Sequence, residues 1–317
     1  MKYWRKSFSL SILIVFTLMF SSCAQASDND YTSRLYTPTY TTKISGIYFI
    51  VDCWNHRIIY SRDMTKPIKE WKTLDDDIAG PHSIAGDGIT FVSEDSGRDR
   101  LIVYTLTSKG FKKTQVIDKI YGRPHKTIYD PTAKRFYVLT STTQEIYTFE
   151  LDNGQLSITN KVHLDFLEDT YTRSFSMIDG NMYFVSGPRE ISVASYNSAG
   201  NINLVEQYPV PEEYSTMNDI KRIGDYFYMS VYPEKFIRVK SLSDFSLVEN
   251  IYNDLGFKGT PYFMSYFDGE FFIPEIDSYS GIKSFKVNDN EIIDVKTIND
   301  SGRPDEKVLK RKNEFPT

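Results

Sequence analysis

Residues 87–106 read "DGITFVSEDSGRDRLIVYTL": two short runs of apolar, β-branched and aromatic residues either side of a polar turn, opened by an Asp-Gly pair. Such runs are strands, and a turn-forming pair followed by alternation is the mark of an antiparallel meander. The first run recurs along the chain. It appears as "SGIYFIVD" at Ser45, "AKRFYVLT" at Ala133, "DGNMYFVS" at Asp179, "GDYFYMSV" at Gly224 and "DGEFFIPE" at Asp268. Each copy follows one strand-like segment and precedes two more. Aligning the six units on their first strands puts Tyr40, His82, His125, Ser174, Asn218 and Phe263 at matching places, with spacings of 42 to 49 residues. Four short strands per unit at that period is the pattern of propeller blades. The expected fold is therefore all-β: a six-bladed β-propeller of four-stranded antiparallel blades. Seven blades or paired β-sandwiches are the alternatives.

Two of only four histidines share a Pro-His context, "GPHSIAGDG" and "GRPHKTIYD", 43 residues apart. In a four-stranded meander the entry to strand one and the turn between strands two and three lie at the same end, and strand one is innermost. His82 and His125 therefore belong on neighbouring blades at the mouth of the central channel. The expected top-face binding set is His82, His125, Arg123, Arg173, Ser174 and Asn218. Structural histidines bonded to nearby carbonyls are one reading, since buried polar groups need partners. A metal held by His82 and His125 is another, because imidazole ligates zinc and similar ions. His56 reads as an exposed turn residue and His163 as part of an outer strand. Asp52, Glu94 and Asp95 offer carboxylates for acid, base or calcium chemistry. Cys53 reads as a small apolar strand residue.

In its first three units the chain resembles the NHL repeat. "IYFIVDCWNHRIIYS" has the Val-x-Asp strand end, a polar turn with Asn-x-Arg-Ile, and a following apolar strand, and "ITFVSEDSGRDRLIVYTL" is similar. The resemblance implies that Arg57 and Arg100 bind carboxylates of their own or adjacent blades. The last three units keep the strand rhythm but lose the Asn-x-Arg turn.

The N-terminus reads differently. Lys2, Arg5 and Lys6 precede the apolar run "SLSILIVFTLMF", an export signal too short to span a membrane. "FSSC" resembles a lipobox, which would make Cys23 the lipidated first residue, whereas "AQA" before Ser27 has the form of an ordinary cleavage site. The expected organisation is a signal peptide over 1–22, a linker over 23–36, one propeller over 37–300, and a tail or ring-closing segment over 301–317. With Cys23 acylated or removed, Cys53 has no disulfide partner. The signal carries three of the 37 basic residues, leaving 34 positive against 42 negative and a net charge of about −8. That balance excludes nucleic-acid binding through phosphate neutralisation.

No Gly-x-Ser-x-Gly, His-Glu-x-x-His, phosphate loop or Cys-x-x-Cys occurs. The expected function is a binding or scaffold module for a protein, peptide or glycan, with no cofactor, acting as a monomer in the cell envelope. It is tethered through Cys23 or secreted. Its class-distinct rival is a metal-dependent lyase or hydrolase with His82 and His125 at the channel mouth and a transition metal such as zinc. A structural part of an envelope assembly is a third reading.

Overall fold

The computed structural model describes residues 31–187 and 190–303. The export signal, Cys23 and the segment from residue 304 onward lie outside the described residues. Residues 31–303 belong to one compact unit. It contains six antiparallel sheets, each a meander made from one continuous stretch of chain. Their strands cover residues 38–75, 84–118, 124–163, 171–209, 217–250 and 260–302, here blades 1 to 6. The six sheets form a ring. This is the six-bladed propeller, and the seven-bladed and sandwich alternatives fall away.

Alternation along each second strand explains why the blades stack. In blade 1, Phe49 and Val51 point toward blade 2, where they meet Ile84, Phe91 and Ile102. Ile50, one residue out of phase, points the other way and packs with Phe272 and Ile282 of blade 6. Blade 2 repeats this, sending Phe91 back to blade 1 and Val92 forward to Val138 and Phe149 of blade 3. A strand with both faces covered needs apolar residues at every position, which is why these runs are continuous rather than alternating with polar residues. Each of the six blade junctions has its own apolar cluster.

Among the described residues the ring closes without exchanging a strand. Leu35 N–H donates to Ser301 Oγ (2.9 Å), Thr37 N–H donates to Ser280 Oγ (3.1 Å), and the Arg34 guanidinium reaches Ser301 O. Two units are less regular than the sequence rhythm suggests. The outer strand of blade 5 shrinks to Glu249–Asn250, and the inner strand of blade 6 is broken into Thr260–Pro261 and Ser265–Phe267.

Candidate functional site

Inner strands of four blades carry a bulge at the same place. Blade 1 pairs Pro38 with Asp52 and then Tyr40 with Val51, leaving Thr39 as the extra residue. Blade 3 leaves out His125 in the same manner, blade 4 Arg173 and blade 5 Asn218. A bulge re-aims its extra side chain, and here the extra residues from successive blades gather at one mouth of the channel. His82 stands at the matching place just ahead of Ile84–Gly86, and Tyr262 sits in the break of blade 6's inner strand. The mouth ring is thus Thr39, His82, His125, Arg173, Asn218 and Tyr262.

The sequence alignment therefore slips by one residue in three units. Tyr40, Ser174 and Phe263 belong to the next ring down, with Ser83, Lys126 and Asp219. Ser174 is fully buried and its hydroxyl donates to Asp219 Oδ1 (2.7 Å), so it is absent from the mouth. In that lower ring the Lys126 ammonium lies 3.7 Å from the Phe263 ring centre, 4.4 Å from that of Tyr40 and 3.8 Å from Asp219 Oδ2. Burial lowers its pKa to about 8.

A cavity of about 270 Å³ opens at the mouth. His82, Arg123, His125, Arg173 and Asn218 line it together, as do Tyr171, Tyr232, Tyr262, Trp54 and Asp277. Cys53 lies at its edge and is buried in a 3-10 turn, Cys53–Asn55, rather than in a strand. The two imidazoles stack, centroids 3.9 Å apart and planes 27° from parallel. His125 Nδ1 sits 2.7 Å from the Arg173 carbonyl oxygen, which makes it the protonated nitrogen, and Nε2 then accepts from Tyr262 Oη at 3.5 Å. Burial, and after it nearby positive charge, pushes both histidine pKa values well down; for His82 the His125 ring adds to this. Both rings are neutral. His82 Nδ1 is buried with no hydrogen-bond partner.

Two guanidiniums face the same space. Arg123 and Arg173 lie 5.9 and 5.6 Å from the Tyr171 ring centre, and Arg173 also lies 5.9 Å from that of Tyr232. Arg173 Nη1 donates to Asn218 Oδ1 (3.3 Å). Arg123 Nε is buried without a hydrogen bond. Gly122, at φ +91°, and Arg123, at φ +61°, make the tight turn that presents this side chain, and Arg123 N–H anchors it by donating to Asp99 Oδ1 (3.0 Å). A Cβ on Gly122 would clash with Thr143 Oγ1. Gly122→Ala is expected to cost roughly 1–3 kcal/mol, the scale of a side chain forced into a left-handed or crowded conformation. A drop in the urea midpoint at unchanged slope would show it.

Other singled-out residues take structural positions. His56 is fully buried, not exposed, because its Nδ1 accepts Gly80 N–H (3.0 Å) across the blade 1–2 junction. His163 lies on an exposed outer strand, near Thr143 O. Arg57 and Arg100 bind Asp52 and Asp95 of their own blades, at 2.8 and 2.7 Å. Glu94 accepts from Ser83 N–H and Oγ–H and from Thr127, knitting blades 2 and 3 together. Among the described residues no three His, Cys, Asp or Glu side chains converge as a metal-holding group. Thr39, Tyr171, Tyr232, Tyr262 and Asp277 complete the site and escaped the sequence reading, which had no signal for the bulges or for the break in blade 6.

The fold has many solved likenesses. One is a protein from Lactobacillus plantarum, with TM-score 0.59 and 12% identity over 84% of this chain and 86% of that one. A candidate 6-phosphogluconolactonase from Bacteroides uniformis superposes at 0.59, with 14% identity over 83% and 86%. A streptogramin B lyase does so at 0.56, with 13% identity over 84% and 83%. These likenesses carry the propeller fold alone. No family model and no curated protein sequence matches the chain.

Proposed function

We propose that this propeller is a binding module of the cell envelope, held by a lipid on Cys23 or secreted, that takes part of a peptide, protein or glycan ligand into its mouth cavity. The observation that carries this reading is the ring of bulged residues. It converges polar side chains on a preformed concavity while both histidines stay neutral, and His125 has a partner for each nitrogen. Polar groups fixed around a largely preformed cleft serve recognition. The aromatic rings of Trp54, Tyr171 and Tyr232 add flat surfaces suited to sugar or side-chain contacts.

The rival reading, a metal-dependent lyase or hydrolase, draws on the names of two fold neighbours and on the unpartnered Nδ1 of His82. Against it stand the stacked rings, beside which no third His, Cys, Asp or Glu converges among the described residues, and the adjacent arginines, which disfavour a cation. Glycan and peptide arrays probed with the full chain test the choice. Retention on a defined ligand class is expected, falling severalfold in Trp54→Ala. Elemental analysis of the same preparations is expected to find no stoichiometric transition metal. One zinc or iron per chain, lost in His82→Ala/His125→Ala, would establish the rival instead.

A further inference from the structure

We infer that the mouth cavity recognises a carboxylated sugar, gripping its carboxylate between Arg123 and Arg173 and its hydroxyls through Asp277. This rests on the binding reading above and names the ligand class of that same site.

The first observation is uncompensated positive charge. Most arginines of the ring have acidic partners: Arg57 with Asp52, Arg98 and Arg100 with Asp95, Arg135 with Glu150, Arg222 with Asp179 and Arg238 with Glu249. Arg123 and Arg173 line the cavity, and among the described residues neither pairs with a carboxylate. A guanidinium taken partly out of water without a counter-charge is costly, and the bulge and the left-handed turn that aim these two hold them there. Their natural complement is a planar oxyanion, which the guanidinium fork binds through charge-assisted hydrogen bonds. The chain is acidic overall, so a general basic surface does not explain the placement.

The second observation is the opposite pole. Asp277 lines the same cavity, at φ +66°, and its Oδ2 is buried without a hydrogen bond. Among the described residues no cation pairs with it. A buried carboxylate oxygen that lacks a donor calls for one from the ligand. The ligand therefore carries an anionic group at one end and hydroxyl or amino donors at the other. The third observation is size and surface. A volume of about 270 Å³ falls just below the usual range for small-molecule pockets, roughly 300–1,000 Å³. It admits one ring, and Tyr171 and Tyr232 offer faces for a ring with C–H surface. A hexuronic acid meets all three conditions; an amino acid meets the first two.

The test is calorimetric titration of the full chain at low salt with D-glucuronate, D-glucose, L-glutamate and inorganic phosphate, repeated for Arg123→Gln, Arg173→Gln and Asp277→Asn. Thermal unfolding would verify that each variant is folded. Glucuronate is expected to bind at least tenfold more tightly than glucose, since a lost charge-assisted contact costs about tenfold or more. Each arginine variant is expected to lose at least tenfold, and Asp277→Asn to lose less for phosphate than for glucuronate. Affinity should also fall as salt rises. Equal binding of glucose and glucuronate, or arginine variants indistinguishable from wild type, would overturn the anionic assignment while leaving a binding cavity in place. Response to glutamate or phosphate with none to glucuronate would overturn the sugar. Silence toward all four probes, with array retention that Trp54→Ala still weakens, overturns the inference alone; loss of array binding as well removes the reading beneath it.

Discussion

Acidification from pH 6 to pH 5 is expected to remove up to roughly 2–3 kcal/mol of folding stability through two side chains, His82 and His125. Both are buried, at 6% and 1% exposure, and both have pKa values pushed well below 6.5 by burial and by neighbouring positive charge. In the unfolded chain each returns to about 6.5. As pH falls through that value the unfolded state takes up two protons that the folded state refuses. Stability is therefore complete above the unfolded pKa and is lost as pH falls below it, by up to about 1.4 kcal/mol per pH unit for each histidine. Glu94 and Glu275, whose pKa values burial raises, act with the opposite sign at their own protonation. The clean quantity is thus a difference. Urea unfolding at pH 7, 6 and 5, for wild type and His82→Gln/His125→Gln, should give the wild type the steeper acid loss. Parallel curves would mean that neither ring has a depressed pKa in the folded protein. Imidazole NMR shifts that move between pH 6 and 7 would say so directly.

Those two histidines also mark how far the sequence could be read. Blade rhythm was legible because it is a consequence of burial on both faces: Phe49, Ile50 and Val51 are all apolar since neighbours on either side need them. Carboxylate partners for Arg57 and Arg100 were legible only through the resemblance of their two turns to the NHL repeat, which implies that role. Register within the inner strand was not. A bulge adds one residue without altering the hydrophobic pattern around it, so Thr39 and Tyr40, or Arg173 and Ser174, are equally good candidates from the sequence. His125 and Asn218 fell into the right ring because their units were aligned on the bulged residue itself. His56 was misread for a related reason: a polar turn is ordinarily exposed, yet this one is covered by the next blade, whose Gly80 N–H it accepts. Tyr232 and Asp277 come from turns between strands two and three, the segments with the least pattern of all.

The largest single-residue effect is expected at Asp52, where Asp52→Ala should cost about 3–5 kcal/mol, the range for removing one partner of a buried ion pair. Asp52 is fully buried. Its Oδ1 accepts Tyr36 N–H (2.7 Å), while Oδ2 accepts Asn55 Nδ2 (2.7 Å) and Arg57 Nε (2.8 Å). Removing the carboxylate takes the acceptor from the residue that enters the first inner strand, and leaves the charge of Arg57, 3% exposed, facing the Arg34 carbonyl oxygen at 2.8 Å and the Tyr31 ring. Arg34 in turn holds Ser301, so the damage falls on the seam where the ring closes. Blade 2 supplies the control. Asp95 accepts Ala79 N–H (2.7 Å) at the same position, but its partners Arg98 and Arg100 keep about a quarter of their side-chain surface in water, and a stranded charge there can be solvated. Asp95→Ala should therefore cost distinctly less than Asp52→Ala, and Asp52→Asn, which keeps an acceptor but loses the charge, should fall between wild type and Asp52→Ala. Urea unfolding of the three variants orders them. Equal losses at Asp52 and Asp95 would mean that the entry hydrogen bond, common to both blades, carries the stabilisation, and that burial of the arginine contributes nothing. Since whole domains are stable by only about 5–15 kcal/mol, the predicted loss at Asp52 would bring the ring near its unfolding threshold, whereas the same change one blade on would leave it folded.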